Sequence, residues 1–267
     1  MVFSFRSWRR RQVLKRHPLP EELWQAAVAN MPLLAGMSES ELARLREWVT
    51  LFLREKVITA AGGLLLTDAM RLHIAIQACL LILNLDLDYY RDWVEVIVYP
   101  DEFVPEYEYT DEDGLVHHVR EPMSGEAWLS GPVILSWQDV AGIPDVPGYN
   151  VVIHEFAHKL DMLNGEPNGF PPLHRDMSRT AWSQAFGAAY QDFCRRVAAE
   201  EGIPIDPYAA ETPGEFFAVL SEVFFETPEV LLQIYPAVYE QLACFYRQDP
   251  AARRGLTTPS RISATPS

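Results

Sequence analysis

Over residues 20–93 apolar side chains recur every three or four positions, the spacing of helices that bury one face. Ser38-Glu-Ser-Glu41 reads as a helix start, and an apolar stripe at Leu42, Leu45, Trp48, Val49 and Phe52 follows it. A further helix starts at Asp68 and runs through the apolar stretch 72–85. From Trp93 to Trp137 the pattern turns to strands over 94–99, 103–109, 115–119 and 132–137, with polar turns such as 111–114 between them. Beyond Pro147 and Gly148 it is helical again over 150–164, 180–201, 212–226 and 237–247, with Gly165 and Gly202 where helix C-caps belong. Helices, then a small sheet, then helices, with no alternating βαβ rhythm, predict an α+β protein. The divisions expected are a flexible basic arm at 1–19, a helical region at 20–92, a mixed part at 93–249 and a disordered tail at 250–267.

Composition narrows the class. With 49% hydrophobic and 22% charged residues the 267-residue chain is an ordinary globular protein, neither fibrous nor disordered. Its 22 Lys and Arg face 37 Asp and Glu, and a formal charge of −15 argues against binding nucleic acid directly. Cys79, Cys194 and Cys244 are widely separated and form no CxxC pair, so no disulfide framework is indicated and a cytoplasmic location is expected. The Arg-rich start resembles a twin-arginine export signal only superficially, because His17-Pro-Leu-Pro-Glu-Glu follows it where an apolar segment is required. The stretch 72–85 is also too short for a membrane span, which needs about 20 residues, and it carries His73, Gln77 and Asn84.

The chemistry lies in His154-Glu155-Phe156-Ala157-His158. On a helix the two histidines are about 40° apart, so both imidazoles can reach one ion. Glu155 is turned about 100° from His154, near enough to take a proton from a water at that ion without being a ligand. Val151, Val152, Ile153, Phe156 and Ala157 make the helix apolar around the motif. Two unpartnered histidines and a carboxylate would be costly there, so a bound metal is the better reading. A third protein ligand is needed, and three acids qualify. Asp161 lies on the same stripe as His154 and suits orienting an imidazole. Glu215 and Glu222 share a face of the later helix. Glu215 also fits a capping box at Thr212-Pro-Gly-Glu215, whereas Glu222 sits in mid-helix with no such explanation. Residue physics alone does not separate these two.

The chain resembles the Mlc titration factor A family, zinc metallopeptidases of the gluzincin type whose catalytic part is similar to that of anthrax lethal factor. The likeness runs from about residue 20 to 250. It rests on Glu95-Val-Ile-Val-Tyr-Pro100, Gly114-Leu-Val-His117, Ser130-Gly-Pro-Val-Ile-Leu135, Ile153-His-Glu-Phe-Ala-His-Lys-Leu-Asp161 and Tyr208-Ala-Ala-Glu-Thr-Pro-Gly-Glu-Phe-Phe-Ala-Val-Leu-Ser-Glu222. The resemblance implies a zincin-like fold with catalytic part 93–249, one Zn2+ on His154, His158 and Glu215, and Glu222 as a supporting acid. It also implies Glu155 as the base, Tyr208 facing the metal as an oxyanion donor, and His117 as an additional ligand in a resting form. The arm before residue 20 and the tail after 250 have no counterpart in it.

The strand at 132–137 is expected to be the sheet edge bordering the cleft, where an extended peptide could pair, because Pro132 lacks a donor. Two functions follow: a zinc peptidase, and a module that titrates a transcriptional repressor of the Mlc type by surface binding. Nothing in the residues separates an aminopeptidase or other exopeptidase from an endopeptidase. A purely structural zinc is the third reading.

Overall fold

The computed structural model describes residues 5–102, 107–110, 116–119, 125–127, 131–142 and 148–256. These form, in chain order, α1 (Phe5–Arg16), α2 (Glu21–Ala29), α3 (Glu39–Glu55), β1 (Val57–Ala60), α4 (Asp68–Leu81), β2 (Glu95–Tyr99), β3 (Tyr107–Thr110) and β4 (Val116–Val119). There follow β5 (Gly125–Ala127), β6 (Val133–Ser136), α5 (Trp137–Ala141), α6 (Val151–Asp161), α7 (Arg179–Ala198), α8 (Pro213–Glu226), α9 (Pro228–Ile234), α10 (Pro236–Tyr246) and α11 (Pro250–Arg253). The α+β class is what the pattern predicts. Among the described residues no helix is long and apolar enough to cross a membrane.

Four strands make one mixed sheet in the order β1-β2-β6-β5. The first three run parallel and β5 is antiparallel to β6, with Gly125 opposite Leu135. β3 and β4 form a separate antiparallel pair in which His117 lies opposite Tyr109. Two expectations change here. Among the described residues β6 is interior, and β5 is the edge strand on its side of the sheet. Pro132 precedes the first strand residue, Val133, so its missing N–H falls outside the ladder and says nothing about edges. β1 lies within the stretch read as all helix, because a four-residue apolar run offers too little periodicity to tell strand from helix.

The core is built around α6. Val152, Ile153, Phe156, Ala157 and Leu160 are fully buried. Phe156 sits among Phe52, Tyr90 and Trp93 at ring distances of 5.9, 5.3 and 5.5 Å. α3 begins where the sequence indicates, with Ser38 and Glu41 forming a reciprocal capping box. α7 ends differently. Its left-handed residue is Glu200 (φ 54°), two before Gly202, and the Glu201 N–H closes the turn on the Arg196 carbonyl at 2.9 Å.

Both chain ends depart from the expected disorder. Phe5–Arg16 is helix because Arg10 binds Asp86 and Asp88 and because Val13 and Leu14 pack on the core. Pro250–Arg253 is also helical, capped by Asp249, with Pro250 and Ala251 buried. The rest of the tail, 257–267, lies outside the described residues, as does the turn at 111–114.

Candidate metal centre

Two helices supply the centre. α6 starts where Asn150 accepts the Ile153 N–H on its side-chain oxygen at 3.0 Å, which satisfies one of the helix's free donors. Its apolar residues face the core, and His154, Glu155 and His158 occupy the remaining side. α8 starts with Pro213 at its first position and the Thr212 hydroxyl accepting the Glu215 N–H at 3.1 Å. The Glu215 carboxylate does not return to close a capping box. It turns to the histidines instead, with Oε2 3.0 Å from His154 Nε2 and 3.2 Å from His158 Nε2.

The two Nε2 atoms are 3.1 Å apart, so three potential ligand atoms form a nearly equilateral triangle. Atoms about 2.0–2.1 Å from a tetrahedral zinc stand about 3.3 Å from one another, and the triangle has that size. Among the described residues, His154, His158 and Glu215 form a group able to hold a metal ion. The geometry therefore separates the two candidate acids, Glu215 and Glu222.

Glu222, two turns beyond Glu215, lies behind His154. Its Oε1 is 2.7 Å from His154 Nδ1, and its Oε2 accepts the Asn150 N–H. A carboxylate accepting from Nδ1 fixes the tautomer in which the Nε2 lone pair faces the triangle, as a metal requires. Asn150 ties this arrangement to α4 and a second time to α8, its amide donating to Gln77 of α4 at 2.6 Å and to Glu226 of α8 at 2.7 Å. Burial disfavours charge on His154, but Glu215 and Glu222 outweigh that and hold its pKa well above the ordinary value. Burial likewise works against the Glu215 carboxylate, while hydrogen bonds from His154 and His158 keep it well below the usual range.

Glu155 is only 5% exposed and makes no part of the triangle. It passes Gly125 of the edge strand so closely that a Cβ there would lie 2.4 Å from Glu155 Oε1. Burial lifts its pKa to about 8, opposed by His154 and assisted by Glu215, Glu222 and Glu126. A carboxyl with such a pKa exchanges a proton near neutrality.

Tyr208 lies in the short turn Pro207–Ala210, with its ring 6.1 Å from that of His154. Burial and the neighbouring Glu215, Glu211 and Glu155 carboxylates raise its pKa, so the phenol keeps its proton and can donate it in a hydrogen bond. Asp161 departs from the expected role of orienting an imidazole. Its Oδ2 accepts the Gly169 N–H at 2.7 Å, fastening the loop after α6. Its Oδ1 and His158 Nδ1 are both buried and have no hydrogen-bond partner among the described residues. His117 is in β4, but its side chain lies outside the described residues. Residue patterns did not single out Gly125 or Asn150. Asn directly before an apolar helical run is a cap signal, and Gly in a strand marks a close approach.

A buried His-His-Glu triangle with a separate carboxylate beside it is the donor set of a metallopeptidase, and the chain belongs to such a family: the model of the glucose-regulated metallo-peptidase M90 family matches residues 5–247. Several relatives share one name. Mlc titration factor A of Serratia proteamaculans is 42% identical over 234 residues, covering 86% of this chain and 88% of that protein. The Klebsiella pneumoniae subsp. pneumoniae protein of that name is 39% identical over 233 residues, with the same coverage. The one from Cronobacter sakazakii is 37% identical over 258 residues and covers 96% of both chains.

Proposed function

We propose that the protein is a zinc peptidase with a zincin-like catalytic part, in which His154, His158 and Glu215 hold the ion. The observation that carries this reading is the triangle of two Nε2 atoms and one carboxylate oxygen, 3.0–3.2 Å on a side, with Glu155 next to it. When bound, zinc would polarise a peptide carbonyl and bring the pKa of water down towards 7. Glu155 takes the proton of the attacking water and delivers it to the leaving amine, a task suited to its raised pKa. The Tyr208 phenol donates to the oxygen that becomes negative as the carbonyl carbon turns tetrahedral. Glu222 holds His154 in its ligating tautomer. The β5 edge, beside Glu155, offers backbone groups to an extended peptide. His117 as a further ligand that keeps a resting form closed is proposed on the family resemblance alone.

Glu155→Gln tests this reading. Peptide hydrolysis should fall by about 10²–10⁴ while zinc stays bound. Hydrolysis at the wild-type rate would contradict it.

The relatives' name supports a second activity, binding of a transcriptional repressor of the Mlc type. An acidic surface of net charge −15 suits a basic DNA-binding partner without contact to DNA. Such binding should survive Glu155→Gln.

A further inference from the structure

The candidate metal centre does not involve the first helix. Six of the chain's 22 basic residues and none of its 37 acids fall in the first twenty positions. All six lie on α1 together with Trp8, and one of them, Arg10, faces inwards.

The inner side of α1 is occupied. Arg10 reaches Asp86 at 3.0 Å and Asp88 at 2.7 Å, Glu55 adds to the field around it, and its guanidinium lies 5.5 Å from the Trp48 ring. Val13 and Leu14 pack beside it on the core. The helix is therefore held against the body through Arg10, Val13 and Leu14. A 100° step per residue places Trp8, Arg11 and Lys15 within about 60° of one another on the opposite side, with Arg16 and Arg9 following round. Trp8, Arg9, Arg11, Lys15 and Arg16 are all exposed, Trp8 by 51%.

We propose that α1 docks the protein on an anionic lipid surface. Its outer face is a strip about 18 Å long that presents four cations together with an indole. Anionic headgroups supply the phosphates, and the boundary beneath them is the layer in which tryptophan rings settle. Each Lys or Arg near such a surface is worth about a fivefold gain in binding. The Debye length at physiological salt is about 8 Å, so acids on the far side of the protein do little to weaken the attraction. A duplex nucleic acid provides the charge but no apolar layer to receive the indole. The tie from Arg10 to Asp86 and Asp88 keeps the strip facing outwards and joins the docked helix to the body.

Sedimentation of the full chain with vesicles tests this. With phosphatidylcholine vesicles containing about 30% phosphatidylglycerol the protein should pellet, and raising NaCl from about 0.1 to 0.5 M should release it. Pure phosphatidylcholine vesicles should leave it in solution. The combined variant Arg9→Glu, Lys15→Glu and Arg16→Glu changes exposed side chains only and should lose at least about 100-fold in binding, three cations at fivefold each. Trp8→Ala should bind more weakly and keep its salt dependence. Equal pelleting by both vesicle types, no pelleting, or undiminished binding by the triple variant would overturn the proposal. So would tighter binding to duplex DNA than to the anionic vesicles at the same salt.

Discussion

Glu222 Oε1 stands 2.7 Å from His154 Nδ1, on the side of the ring away from the metal triangle. The same carboxylate accepts the backbone N–H of Asn150, the cap of the helix that carries His154. One buried acid thus fixes both the tautomer of a proposed ligand and the start of its helix. Removing it by Glu222→Ala should lower zinc affinity by about 10–100-fold. It should also destabilise the metal-free protein by about 1–3 kcal/mol, because a partly buried N–H loses its acceptor. Competition against a chromogenic chelator and urea unfolding measure the two effects. Wild-type zinc affinity in the variant would remove Glu222 from the centre.

Gly125→Ala should separate metal binding from hydrolysis. The added Cβ would meet Glu155 at 2.4 Å from Oε1 and 2.7 Å from Cγ, so the side chain must move as a whole. Displacement of a base by about 1 Å costs about 100-fold in rate. The ligand triangle lies on other elements and should keep its zinc. Parallel assays of hydrolysis and zinc content check this, and a variant with full activity would show that Glu155 needs no such cradle.

Asn150→Ala removes a helix cap and two amide donors at once. Loss of the cap costs about 1–2 kcal/mol, and the unpaired Gln77 and Glu226 oxygens add to it. The urea midpoint of the metal-free variant should fall accordingly. An unchanged midpoint would mean that this junction of α4, α6 and α8 carries no net stability.

The sign of the pH dependence follows from Glu155. In the metal-free fold burial raises its pKa from 4.5 to about 8, so between these values the folded chain binds more protons than the unfolded one. Its contribution to stability is fully present below about 4.5 and is lost as pH rises through 8. Glu155→Gln cannot titrate. The variant should therefore gain stability relative to wild type between pH 5 and pH 8, by a few kcal/mol at most. Urea melts at the two pH values test this, and a constant difference would contradict it.

Much of this was legible in the residues because it depends on local spacing. His154 and His158 share a face at four-residue spacing wherever a helix forms, and the apolar run around them makes that helix a core element. Thr212-Pro-Gly-Glu215 announced the start of α8 equally well. The same four residues left the third ligand undecided, because a carboxylate three residues into a helix serves a cap or a metal with equal ease. Only the approach of α8 to α6 turns Glu215 towards the imidazoles and places Glu222 behind one of them. The edge strand was misplaced for a comparable reason. Pro132 carries a real constraint, but the constraint applies one residue before the ladder begins. β1 was hidden by its brevity. The order of α1 was hidden because its fastening is non-local, with Arg10 finding Asp86 and Asp88 far along the chain.

The proposed function rests on one zinc ion held between His154, His158 and Glu215. An anomalous difference map from zinc-loaded crystals, recorded on both sides of the zinc edge, tests it most directly. A single strong peak is expected within bonding distance of His154 Nε2, His158 Nε2 and Glu215 Oε2. A map without that peak, or with the zinc bound elsewhere and these three side chains unengaged, would contradict it.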